Sequence, residues 1–120
     1  MASRVAQRLL DFAAGNTKLM TKLSRTVPGR YMAGQLMRSS CSAGANYEEA
    51  CGGESRADFV HKLQIALKEP RESRYWLRLV DRTGLVPHSE LTSLHQEADE
   101  LTRIIARSVL TAKSKSNSAI

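Results

Sequence analysis

At 120 residues, 42% of them hydrophobic and 5% aromatic, the chain has the length of one domain, with enough apolar material to bury a core without disulfide or metal support. Three prolines, set against plentiful Ala, Leu, Arg, Lys and Glu, favour an all-α domain over a strand-rich one. The formal charge of +6 is unevenly placed: residues 1–40 carry +6, residues 41–100 carry −4 and residues 101–120 carry +4, so basic ends flank an acidic middle.

A first helix is predicted from about Ser3 to Ser24. Val5, Leu9, Phe12, Asn16, Leu19 and Leu23 recur there at alternating spacings of four and three, a heptad-like stripe with one polar interruption. Ser3 is the expected N-cap, Gly15-Asn16 a weak point, and Thr26-Val27-Pro28-Gly29 the break. Arg4 and Arg8 precede the apolar pair Leu9-Leu10, but Asp11 interrupts it, so neither a signal peptide nor a membrane span is expected.

The second helix is predicted from about Arg30 to Ala50, with Met32, Leu36, Ser40, Ala43, Tyr47 and Ala50 on one stripe and Gly52-Gly53 as its stop. Ser39 to Ala45 are all small, and such a face acts as a groove that admits a neighbouring backbone or a large side chain such as Phe12 or Trp76. Cys41 and Cys51 project in different directions from this helix. They read as reduced thiols of a cytoplasmic protein, with Cys41 on the buried face.

Ser55 is placed to cap the third helix, with Asp58 three residues on as the variant of a capping box. Phe59, Leu63, Ala66, Pro70, Ser73, Leu77 and Val80 form its main stripe, while Ile65, Trp76 and Leu79 form a second, so this helix is expected to meet two sets of neighbours. Pro70 removes a backbone donor, and a kink in a continuous helix is expected because the apolar period stays in phase across it. The fourth helix follows Thr83-Gly84-Leu85-Val86-Pro87 and carries Leu91, Leu94, Ala98, Leu101, Ile105, Ser108 and Ala112, widened by Ile104 and Val109. Residues 1–113 thus form the domain, and residues 114–120, without periodicity, a disordered tail.

Helices near twenty residues with short connections imply an antiparallel up-down-up-down bundle. In that topology the first helix begins where the fourth ends, so Arg4 and Arg8 converge with Arg107, Lys113 and Lys115.

Motifs for catalysis are lacking. A di-metal carboxylate centre needs Glu-x-x-His pairs one turn apart, and the chain has Glu69-x-x-Glu72 but no Glu-x-x-His, with His61, His88 and His95 scattered. There is no nucleophile elbow and no phosphate-binding glycine loop, so no catalytic residue, metal or cofactor is expected. Asn46, Glu49, Glu69, Glu72 and Arg74 form a polar set in which any buried member must be paired. Asn46 and Glu49 are expected to meet the third helix at Arg74 or Tyr75, the alternative being a solvated face. Asp99 and Arg103 are spaced for an i,i+4 pair.

The run Leu36 to Ala50, LMRSSCSAGANYEEA, followed by the capped SRADFVHKLQIALKEPRESRYWLRLV, resembles the bacterial four-helix-bundle family of proteins encoded in intervening sequences of 23S rRNA genes. The resemblance spans roughly Leu9 to Ala112, with residues 1–8 and the tail poorly matched. It rests on Gln35-Leu36, Arg38, the small residues, Asn46 and Glu49, then on Phe59, Lys62-Leu63, Ile65-Ala66, Glu69, Glu72 and Tyr75-Trp76. Pro70 departs from the family pattern, which has a helix former there. The resemblance implies a ring-like homopentamer, kinship with the basic pentameric accessory protein of diversity-generating retroelements, which binds nucleic acid and a reverse transcriptase, and no enzymatic activity. Tyr75 and Trp76 then belong to the core or to a subunit interface.

The resulting expectation is a non-enzymatic scaffold that self-associates and contacts the phosphates of RNA or DNA through Arg4, Arg8, Lys18, Lys22, Arg25, Arg30, Arg38, Arg103, Arg107 and Lys113. The alternative is a protein-interaction module in which the charge only solubilises.

Overall fold

The computed structural model describes residues 2–118, with side chains described for residues 4–115. Four helices follow in order: α1 (Ala2–Leu23), α2 (Val27–Cys51), α3 (Arg56–Thr83) and α4 (Thr92–Ser118), with a short 3-10 turn at His88–Glu90 before α4. Among the described residues there is no strand. The bundle measures 53 × 21 × 20 Å, and each helix packs against its sequence neighbour, while α1 and α4 meet more sparsely. Ion pairs of α1 with α4 and the turn before it, and of α2 with α3, run in opposite chain directions, which fixes the antiparallel order: Arg8 meets Glu97 whereas Lys22 meets Glu90, and Arg38 meets Glu72 whereas Glu49 meets Lys62.

The predicted stripes become the core. Val5, Leu9, Phe12, Asn16, Leu19 and Leu23 of α1 are all buried, as are Met32, Leu36, Ser40, Ala43, Tyr47 and Ala50 of α2. In α3 the stripe from Leu63 to Val80 is buried, and Phe59 is half-buried at its start. In α4, Leu91, Ala98, Leu101, Ile105 and Ala112 are buried and Leu94 and Ser108 half-buried. The second stripe of α3, Ile65, Trp76 and Leu79, is half-buried. A 3.6-residue period puts such positions on one side of each helix, and four such sides close one core.

Several boundaries differ from the sequence reading. Helix α1 already includes Ser3, so Ser3 is not its N-cap. Thr26 to Gly29 begins α2 as well as ending α1: Thr26 is the N-cap, its Oγ1 accepting from the Gly29 amide at 3.0 Å, and Pro28 occupies the first turn, where the missing amide costs no intrahelical bond. Glycine is required at position 29, since a Cβ there would lie 1.9 Å from the Leu23 carbonyl oxygen. Ser55 does cap α3, accepting from the Asp58 amide at 3.1 Å, while Asp58 Oδ2 accepts from the Glu54 amide at 3.3 Å. At the other end of α3, Gly84 takes φ +70, the left-handed conformation that closes a helix with least strain. Helix α3 is continuous through Pro70, which is fully buried. Helix α4 runs on through Ser118, beyond the Lys113 limit read from periodicity, and the last two residues of the expected tail lie outside the described residues.

The small face of α2 lets neighbours approach. A Cβ on Gly44 would sit 3.6 Å from Leu9 Cβ, so α1 presents Leu9 there. On the α3 side, Ser39 and Ser73 are both fully buried and share a hydrogen bond of 2.8 Å. Trp76 instead packs edge-on against Tyr31 and Tyr75, at ring-centroid separations of 5.8 and 5.1 Å. Cys41 is exposed, contrary to its expected place on the buried face, because it stands off the stripe that Ser40 and Ala43 occupy.

Candidate nucleic-acid interface

Antiparallel packing brings the start of α1, the end of α2, the start of α3 and the end of α4 to one end of the bundle. A cleft of about 550 Å³ opens there. Its buried and half-buried lining is Val5, Tyr47, Phe59, Ile104, Ser108 and Ala112, and the exposed side chains around it include Arg4, Arg56, Arg107 and Lys115, with Arg8 half-buried among them. No Asp or Glu belongs to the lining.

Arg8 is the one cation of this group held by carboxylates. Its Nε and Nη2 donate to the two oxygens of Glu97 at 3.0 and 2.6 Å, and Nη2 also lies 3.0 Å from Glu100 Oε1. These hydrogen bonds, the one to Glu97 foremost, push the guanidinium pKa further up, so Arg8 stays charged throughout the accessible pH range. Arg4, Arg56, Arg107 and Lys115 have no ion-pair partner among the described residues. Four cations at one cleft without counter-charges attract an anion and repel one another when it is absent. Tyr47, 6% exposed, keeps its proton in this setting: burial, reinforced by the adjacent Cys51, pushes the phenol up to about 12.

The convergence of Arg4, Arg8, Arg107 and Lys115 follows the sequence reading; Lys113 is exposed on α4 but does not line the cleft. Arg56 was missed. Its signal was topological, since the first residue of the third helix must start at the same end as the first helix. The other cations named from sequence lie elsewhere. Lys18 and Arg103 are exposed on α1 and α4. Lys22 and Arg25 line a groove of about 420 Å³ at the opposite end, where Lys22 Nζ donates to Glu90 at 2.7 Å. Arg30 donates to the Ser24 carbonyl at 3.5 Å.

Arg38 is engaged between helices. It pairs with Glu72 and lies 3.6 Å from Glu69, while Glu72 also accepts the Trp76 indole N–H at 3.0 Å. Glu69 and Glu72 of the polar set therefore hold α3 to Arg38 of α2, a cation named from sequence as a phosphate contact. Glu49 reaches α3 at Lys62, 3.8 Å away, and not at Arg74 or Tyr75. Asn46 donates to the Ser42 carbonyl of its own helix at 2.9 Å, and Arg74 turns to Asp99 of α4 at 3.2 Å. Asp99 pairs with Arg74 and lies 3.5 Å from His95, so the i,i+4 pair with Arg103 does not form.

Among the described residues no group of three His, Cys, Asp or Glu side chains is placed to hold a metal. His88 Nδ1 lies 3.0 Å from both Asp81 oxygens beside a groove of about 300 Å³, but the neighbouring Thr92 hydroxyl donates to the His88 carbonyl and not to the imidazole, so the pair lacks an attached nucleophile. No described helix is long and apolar enough to cross a membrane.

The model of the family described as 23S rRNA-intervening sequence protein matches residues 2–107. The chain belongs to this family. The match begins at residue 2, so residues 2–8 fall within the family region, contrary to the limit read from sequence, and all of the cleft-lining residues through Arg107 lie inside it. Similar solved structures include the crystal structure of a protein with unknown function from the S23 ribosomal protein family of Bacteroides thetaiotaomicron VPI-5482. It is 35% identical at a TM-score of 0.79, over 88% of this chain and 97% of that one. No curated protein matches. The family therefore supplies the fold, and the site must supply the function.

Proposed function

We propose that this family member is a non-enzymatic, cytoplasmic, self-associating scaffold that contacts RNA or DNA phosphates through the basic end of its bundle. The observation that carries this reading is the cleft, where Arg4, Arg56, Arg107 and Lys115 gather without carboxylate partners. Phosphate contact by such side chains is tolerant of sequence and releases counterions, so affinity falls steeply with salt. Two exposed free cysteines favour a reducing compartment. Self-association, as a pentamer by family resemblance, would repeat the basic end around a symmetry axis and raise avidity for a long polyanion. The exposed rings of Tyr31 and Tyr75 beside Trp76 are a suitable contact face between copies.

That same aromatic face favours a second reading, a protein-interaction module in which the charge serves solubility. Light scattering of the purified protein with and without a structured RNA, at low and moderate salt, separates the two. A pentameric mass that takes up RNA at low salt and releases it as salt rises supports the scaffold. A pentamer indifferent to RNA moves the assignment to a protein partner, and a monomer removes the avidity argument.

A further inference from the structure

The cleft is concave and of small-molecule size, which a surface that only tracks a duplex backbone has no need to be. Its lining is also two-natured. The exposed side chains are cationic apart from Thr111, whereas the buried ones, Tyr47 and Val5 with half-buried Phe59 and Ile104 beside them, are apolar or aromatic. An inorganic anion would use only the first kind, and a hydrophobic ligand only the second.

The number of free cations bears on the charge of the occupant. An internal phosphodiester carries one negative charge, while a terminal phosphomonoester carries close to two at neutral pH and offers three acceptor oxygens. Arg4, Arg56, Arg107 and Lys115 exceed what a single diester neutralises. Arg8, already committed to Glu97 and Glu100, is neutralised by them and is not counted among the cations available to an anion.

We propose that this cleft is a nucleotide site, taking a terminal phosphomonoester between Arg4, Arg56, Arg107 and Lys115 while the attached base covers the half-buried Phe59. The proposal rests on the nucleic-acid reading and deepens it: the ligand is a nucleoside monophosphate, either free or as the 5′ end of a strand. Base-on-aromatic contact is tolerant of base identity, so discrimination falls on the phosphate.

The test is fluorescence anisotropy with a single-stranded RNA hexanucleotide labelled at its 3′ end, carrying either a 5′-phosphate or a 5′-hydroxyl, with AMP and inorganic phosphate as competitors. The 5′-phosphorylated strand is expected to bind at least about tenfold more tightly. The preference is expected to vanish in the double variant Arg56→Ala/Arg107→Ala and to persist in Lys18→Ala, which alters a cation outside the cleft. Should the double variant lose its helical circular dichroism, the single variant Arg107→Gln supplies the comparison. Competition by AMP identifies a free nucleotide as sufficient, and a 5′-phosphate preference without it identifies a strand end; either supports the site. Equal binding of the two strands without competition by AMP overturns the proposal, as does inorganic phosphate competing as well as AMP, or a preference that survives loss of both arginines. Salt-dependent uptake of long RNA would survive such a failure, so the broader reading is judged separately.

Discussion

Gly29 and Tyr47 show how single side chains are constrained here by what surrounds them. At Gly29 the turn between α1 and α2 brings the Leu23 carbonyl to where a Cβ would be, so Gly29→Ala must displace backbone. A loss of about 2–3 kcal/mol is expected, read as a lower urea midpoint at unchanged slope. Gly34→Ala, on the same helix with open space around it, is expected to be neutral or to stabilise by a few tenths of a kcal/mol. Tyr47 ties stability to alkaline pH. Its folded-state pKa, pushed up to about 12, stands above the unfolded value near 10, so the contribution of the neutral phenol is complete below about pH 10 and is lost as pH rises through 12. In thermal melts from pH 8 to 12 the parent is expected to lose stability relative to Tyr47→Phe above about pH 10, because the variant has no phenol to ionise at this position.

At the scale of the element, α2 and α3 are joined by polar groups as well as by small ones. The Ser39–Ser73 hydrogen bond spans a place where neither helix carries a bulky side chain, and Arg38 closes over Glu69 and Glu72 nearby in sequence. Arg38→Ala leaves a Glu69 oxygen buried without its cation and frees Glu72 from one of its two partners. A destabilisation of about 1–2 kcal/mol is expected, together with a change in Trp76 fluorescence, since the indole N–H donates to the same carboxylate. Loss of RNA binding without either effect would mean that Arg38 serves as a phosphate contact instead. Position along a helix alone does not separate these roles. Pro70 illustrates the converse: its helix continues because the buried stripe on both sides anchors it to the bundle, so packing prevails over the missing backbone donor.

Across the whole molecule, the seam between α1 and α4 is the looser one. Arg8 with Glu97 and Glu100, and Lys22 with Glu90, hold it near its two ends. Local opening free energy follows local packing, so amides of α1 and of the last turns of α4 are expected to exchange faster in deuterium than those of the middle of α2 and α3. An anion in the cleft would bridge Arg4 to Arg107 and Lys115 across this seam, and AMP is accordingly expected to slow exchange at the cleft ends of α1, α3 and α4 while leaving the middle of α2 little changed. Uniform exchange over all four helices would show that the seam is not a weak point.

The sequence by itself determined the four helices, their buried stripes, the Ser55 cap and the antiparallel order. These are set by the 3.6-residue period and by signals within a few positions of one another, as when Leu9, Phe12 and Leu23 fall on one face. It also placed Arg4, Arg8 and Arg107 at a shared end, since topology with short connections leaves no other order. Only the tertiary structure decided which cations there are free. Arg8 finds Glu97 eighty-nine positions away, Arg38 is drawn to α3, and Arg56 joins the cleft from a helix whose local sequence carries no sign of it. Ion pairing depends on separations of a few ångströms between segments remote in the chain, and helical periodicity carries no information about which opposite charge a side chain will meet.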